Sequence, residues 1–269
     1  MQSVSEIEAL TDLGLRGDRA GPQRLSIMNE IFTVLLLGGA ALVASTLAAV
    51  TGFGGAAVLL PILIVVFGVR DAIPILTVAQ LIGNGSRVWF NRRELALPVV
   101  GWFAVGGVPA ALVGGVLFAT APLSFLKRLL GFFLLVIVVY RHIRKADAHK
   151  HSLRGFAIIG AVFSFLSALL GSVGPLMAPF FLSYGLVKGA YIGTEALATV
   201  VMHVTKLVAY GGTAILTLKS IGAGLALGPI MIIGSFVGKR IVERLPEYVF
   251  VWLIEATLIL AGLGFLIRG

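Results

Sequence analysis

Cysteine is absent from this chain, acidic residues number only 12 against 21 basic ones, and charged residues make up just 12% of 269. Without cysteine there is no disulfide, no thiolate metal site and no thiol relay for a sulfur compound. Metal-type histidine spacing and a Walker-type phosphate loop are missing as well, so the sequence offers no metal site, no cofactor motif and no means of pumping with ATP by itself. Soluble domains carry about 25% charged residues, and a chain this poor in charge is excluded from that class.

What is present is apolar: 58% hydrophobic residues and 34 glycines. A helix needs about 20 apolar residues to cross the hydrocarbon of a bilayer, and the chain has many such runs. The alternating segments of about 10 residues that mark a membrane β-barrel are lacking. The fold class is therefore an all-α polytopic membrane protein, whose first partner is the lipid bilayer. The net charge of +9 does not signal nucleic acid, because the basic residues sit between the apolar runs, where they act as orientation signals.

Residues 1–30 form a polar N-terminal extension with none of the build of a signal peptide, and Met28 just precedes the first apolar run. Ten apolar segments come after it, near 31–50, 56–68, 72–90, 98–118, 123–141, 155–171, 175–186, 190–210, 219–238 and 248–267. They divide into a first membrane repeat (31–141), a basic linker (142–154) and a second membrane repeat (155–269). The second and seventh segments are too short to span unaided. Each comes after a glycine-containing break, Thr51-Gly52-Phe53-Gly54-Gly55 and Gly171-Ser172-Val173-Gly174-Pro175.

The repeat is legible residue by residue. Pro61 matches Pro179, Gly68 matches Gly185 and Ala72 matches Ala190, at offsets of 118, 117 and 118; Pro109 and Gly114 match Pro229 and Gly234 at 120. Internal repeats of this size are the plan of many secondary transporters. Arg141, Arg144, Lys145, Lys150 and Arg154 place the central loop in the cytoplasm, with Arg92, Arg93, Lys239, Arg240 and Arg244 on the same side. Each half then makes an odd net number of crossings, so the two repeats, of about five helical segments each, are expected to be inverted.

Two polar pairs recur with the repeat. Asn84 and Arg87 stand three residues apart on one helix face, His203 and Lys206 do the same, and both pairs are separated by 119 positions. A cation inside an apolar helix costs about 2.5–3.5 kcal/mol at the helix centre, so each either snorkels to water or serves a site. Recurrence in both halves favours a shared anion site. The breaks add to it, because the first N–H groups of a helix lack internal partners and carry partial positive charge. Gly52, Gly54, Gly55, Gly171, Ser172 and Gly174 would let an anion approach that backbone, with Pro175 fitting the first turn of a helix. Glu195, near the start of the eighth segment, is the candidate for pairing with Lys206 or carrying a coupled proton, while Glu255 in the tenth fits a helix-to-helix hydrogen bond.

The run TGFGGAAVLLP followed by FGVRDA resembles the first half of the TauE/SafE sulfite exporter family, and GSVGPLMAPFFLSYGLVKGAYIGTEALATVVMHVTK resembles its second half. The resemblance spans roughly residues 28–269; Ile75-Leu76-Thr77 departs from it, standing where a GTS-like run is common in the family. It implies a multi-pass carrier of the bacterial inner membrane that exports sulfite, a sulfonate such as sulfoacetate, or another small organic anion. The expected mechanism is alternating access, with the breaks and cation-bearing helices lining the path; the coupling ion stays open, since Glu195 allows a proton without requiring it. The alternatives are an anion channel with the same filter and, more remotely, a membrane-embedded enzyme or a scaffold for a partner protein. Oligomeric state is not written in the sequence, since lipid-facing and partner-facing leucines look alike.

Overall fold

A computed structural model describes residues 20–53, 55–122, 152–171, 173–250 and 252–253. Contacts divide the chain into Met1–Gly39 and Ala40–Gly269. The first unit contributes the N-terminal part of one helix, and the second holds the rest of that helix and the other described helices.

Every regular element among the described residues is helical, as lipid demands of an open chain whose backbone groups must all find partners. The helices are α1 (Ala20–Thr51), α2 (Gly55–Phe90), α3 (Leu97–Thr120), α4 (Gly155–Leu170), α5 (Gly174–Ser183), α6 (Lys188–Gly212) and α7 (Leu218–Arg244). Five stretches are long and apolar enough to cross a membrane: Glu30–Thr51, Val58–Phe90, Leu97–Thr120, Lys188–Gly212 and Leu218–Arg244. Together they make this a multi-pass membrane protein. Valines and isoleucines such as Val65, Val105 and Ile158 stand exposed on the helices, where lipid rather than water covers them.

Helix α2 is two pieces. Gly68 interrupts it with φ 77° and ψ 164°, so a short segment after the first glycine break precedes a long one, as the sequence predicts. The second half has the same plan in α5 and α6, separated by a turn with Gly185 at φ 99°. Most segment limits fall within a few residues of those expected. Helix α1 begins earlier, at Ala20, so the end of the polar extension is helical, and α7 runs on to Arg244. The segment at 123–141 and most of that at 248–267 lie outside the described residues, as do Glu255 and the linker up to residue 151.

Local signals fix the helix starts. Pro98 and Pro175 occupy the first turns of α3 and α5, where a missing N–H costs nothing. Thr217 and Ser220 form a reciprocal cap on α7: Ser220 N–H donates to Thr217 Oγ1 at 3.1 Å and Thr217 N–H donates to Ser220 Oγ at 3.0 Å.

Glycine decides how closely the helices approach. A Cβ on Gly160 of α4 would strike the Phe103 carbonyl of α3, and one on Gly106 would strike that of Ala157. Further along, Gly114 meets Phe165 and Ala168, so α3 and α4 run in the same direction. Gly234 of α7 meets Leu42 and Ser45 of α1, and Gly238 meets Thr46 and Ala49, so α7 and α1 also run together. In the same way Gly224 meets Ile75 and Val78, and Gly228 meets Ile82, which sets α7 parallel to the long piece of α2. Since α3 returns from α2 after a short loop, it opposes α7. Exchanging α1, α2 and α3 with α4, α6 and α7 turns each of these neighbour pairs into another: α3 with α4 into α7 with α1, and α2 with α7 into α6 with α3.

Lys239 near the end of α7 donates to Asn91 Oδ1 at 2.7 Å and lies 3.8 Å from Glu94. The Ala96 N–H donates to Thr194 Oγ1 of α6 at 3.0 Å. The basic positions Arg92, Arg93, Lys239 and Arg240 thus gather at one end of the helices, the grouping their charge predicts.

Candidate anion site

Helix α1 ends where the chain turns at Gly52 with φ +83°, and α4 ends at Gly171 with φ +84°. The left-handed conformation costs a side-chain-bearing residue about 1–2 kcal/mol, and at Gly52 a Cβ would also run into the Tyr191 ring. These two glycines are 119 apart, the interval that separates the polar pairs. The chain restarts at once as α2 and α5, whose first residues face a common space.

That space is a cavity of about 40 Å³, room for roughly three waters. Its wall carries residues from both halves at the same interval: Ala48 and Ser167, Gly52 and Gly171, Gly55 and Gly174, Gln80 and Thr199, Asn84 and His203. Arg87, Glu195, Phe53, Met177 and Met202 complete most of it. Gly54 and Ser172, expected in the same cradle, lie outside the described residues.

Of the sequence-derived set, Asn84, Arg87, His203, Glu195, Gly52, Gly55, Gly171 and Gly174 come together on this wall. Lys206 is not among the lining residues. Neither cation snorkels: Arg87 is 4% exposed and Lys206 0%. Arg87 Nη1 donates to the carbonyls of Ala48 at 2.9 Å and Gly52 at 2.7 Å and lies 3.5 Å from Glu195 Oε2, while its Nη2 donates to Asn84 Oδ1. Lys206 Nζ donates to the Ser167 carbonyl at 3.4 Å and to Ser167 Oγ at 3.2 Å.

Glu195 therefore pairs with Arg87 across the two halves, which corrects the expected pairing with Lys206. Its other oxygen, Oε1, accepts from Thr199 Oγ1 at 3.1 Å. The reason is reach. Glu195 sits about three helical turns before Lys206 on α6, whereas Arg87 arrives beside it from α2. Position 76, which lies 119 before Glu195, is leucine, so the carboxylate has no counterpart in the first half.

His203 is 4% exposed and its Nδ1 finds no hydrogen-bond partner among the described residues. An orphaned buried polar atom costs about 1–3 kcal/mol, and this one belongs to a side chain on the cavity wall. Imidazole nitrogen can donate or accept there. No three of His, Asp and Glu gather as a metal site among the described residues.

Gln80 and Thr199 were missed from sequence. Polar residues are ordinary at helix contacts, and neither carries a charge to draw the eye. The signal was nonetheless available, since they stand at the same 119-residue spacing as the polar pairs. Ser167 and Tyr191 were missed for want of any such clue; Tyr191 packs its ring against Gly52, and its hydroxyl too lacks a partner among the described residues.

The arrangement can hold a small anion: two helix N-termini, a guanidinium, an amide and an imidazole nitrogen with no partner among the described residues converge on one polar cavity. No curated protein and no solved structure matches the chain. The model of one protein family, described as Sulfite exporter TauE/SafE, matches residues 37–265. That stretch takes in both glycine breaks, both polar pairs and the whole cavity wall, and the chain is a member of the TauE/SafE sulfite exporter family.

Proposed function

We propose that this protein is a secondary transporter that exports sulfite, or a similarly small sulfur oxyanion or sulfonate, from the cytoplasm of a bacterium across its inner membrane. The observation that carries the proposal is the convergence of both glycine breaks on one polar cavity that holds Asn84, Arg87 and His203. In this reading Gly52 and Gly55 present one helix N-terminus to the anion, and Gly171 and Gly174 present the other. Asn84 and His203 supply hydrogen bonds and Arg87 supplies charge, while Lys206, the matching cation of the second half, stands behind Ser167 of the wall. An oxyanion spreads its charge over several oxygens, which suits many modest donors better than one bidentate clamp.

Inversion of the halves supplies the mechanism. The shared directions of α1 with α7 and of α3 with α4, with α3 opposed to α7, support it, and two inverted units rocking about a central site give alternating access. Glu195, which pairs with Arg87, carries the coupled proton in this reading when an anion takes over the guanidinium. The test is counterflow in proteoliposomes: external sulfite should drive accumulation of labelled sulfite against its gradient. Flux that dissipates the gradient without counterflow identifies a channel, and no sulfite flux at all contradicts the substrate.

A further inference from the structure

The two buried cations make the same bond at the same place. Arg87 donates to the carbonyl of Ala48 and Lys206 to that of Ser167, and these acceptors are themselves 119 residues apart. Each carbonyl also accepts the N–H of its glycine break, from Gly52 and from Gly171, both at 2.9 Å. Partial negative charge gathers at the carbonyls of a helix's last turn, so a cation there secures the final turn. Beyond each secured turn come the positive-φ glycine and the restart of the chain as α2 or α5.

The cations differ in one respect. Arg87 also lines the cavity, whereas Lys206 stops at Ser167, a residue of its wall. Full burial rules out an ammonium that reaches water, and among the described residues both hydrogen bonds donated by Lys206 end on Ser167.

We infer that Lys206 is a positioning residue: it fixes the end of α4 at Ser167, and through the Gly171 break it sets the N-terminus of α5 at the cavity wall, without touching the anion. Arg87 does the same for α1 and α2 while also facing the anion. The inference rests on the cavity being the anion site, but its decisive consequence appears with no anion present. A residue that only binds substrate leaves the empty site unchanged when it is removed. One that holds α5 in place does not.

The chain has no cysteine, so a single Met177→Cys reports on α5 at the cavity wall. Its rate of modification by a small water-soluble thiol reagent would be measured on the full chain in detergent without anion. Lys206→Met should change that rate several-fold and Lys206→Arg should restore it, with sulfite flux in proteoliposomes lost and regained in step. If Lys206→Met does not fold, Lys206→Gln, a shorter neutral donor, takes its place and should change the rate by a smaller factor. An unchanged rate in a folded Lys206→Met or Lys206→Gln protein that has lost sulfite flux would overturn the inference and make Lys206 a direct ligand. A changed rate in a protein whose parent form moves no sulfite would uphold the bracing role and contradict the proposed substrate instead.

Discussion

At the scale of single residues, the balance at Arg87 decides most. Its guanidinium answers two backbone carbonyls, Asn84 and Glu195 together, and all of these groups belong to the buried cavity wall. Removing one partner of a buried pair costs about 3–5 kcal/mol, because the survivor is left charged and unpaired. Arg87→Ala is therefore expected to destabilise by that amount, while the double variant Arg87→Ala/Glu195→Gln recovers a measurable part of the loss. Chemical or thermal unfolding in detergent checks this, and a double variant no more stable than the single one would mean Glu195 is compensated elsewhere. His203 behaves differently. Its Nδ1 has no partner to lose among the described residues, so His203→Ala should destabilise far less than Arg87→Ala and weaken sulfite binding, by about tenfold for a lost hydrogen bond worth roughly 1.5 kcal/mol. Equal sulfite affinity in the variant would remove His203 from the site.

At the scale of elements, glycine governs both the breaks and the contacts. Gly52→Ala combines a left-handed backbone with a collision against Tyr191. It should cost more than the 1–2 kcal/mol of the backbone alone, visible as a lowered unfolding temperature. Gly160→Leu should force α4 away from α3, where even a methyl group meets the Phe103 carbonyl; loss of the cooperative transition is the expected outcome. The breaks could be read from sequence because glycine clusters and twelve-residue apolar runs are unusual together. Gly68 and Gly185 were legible as landmarks of the repeat, and they prove to be the turns between each short segment and the long helix after it. The early start of α1 was not, since helix formation at 20–30 leaves no apolar periodicity to follow. Nor could the sequence choose between snorkelling and burial for Arg87 and Lys206. That outcome depends on whether carbonyls from another helix, here Ala48 and Ser167, arrive within reach.

At the scale of the whole molecule, the repeat interval organises the site. One offset of 119 relates the breaks, the polar pairs, the cations, the carbonyls they hold and the extra wall residues Gln80 and Thr199. Glu195 breaks the pattern, with Leu76 in its counterpart position, and that departure came to light only when Arg87 was found beside it. Sidedness comes from the same geometry. Arg93 and Arg240 stand at the end of the helices marked by the bond from Lys239 to Asn91, and the turn at 213–217 joins α6 to α7 at the other end. In this cysteine-free chain, Arg93→Cys and Arg240→Cys should react with a membrane-impermeant thiol reagent only from the cytoplasmic side, and Thr213→Cys only from outside. Labelling of Arg93→Cys and Arg240→Cys from opposite sides would contradict the arrangement.

The central claim, that one small anion binds where the two glycine breaks meet, is tested most directly by the thermal stability of the purified protein with and without sulfite. A ligand that binds only the folded state, at about 100 times its dissociation constant, adds about 2.7 kcal/mol. Sulfite should raise the unfolding temperature of the parent protein and have a much smaller effect on His203→Ala at the same concentration. No stabilisation of the parent by sulfite, or an equal rise in both proteins, would contradict the claim.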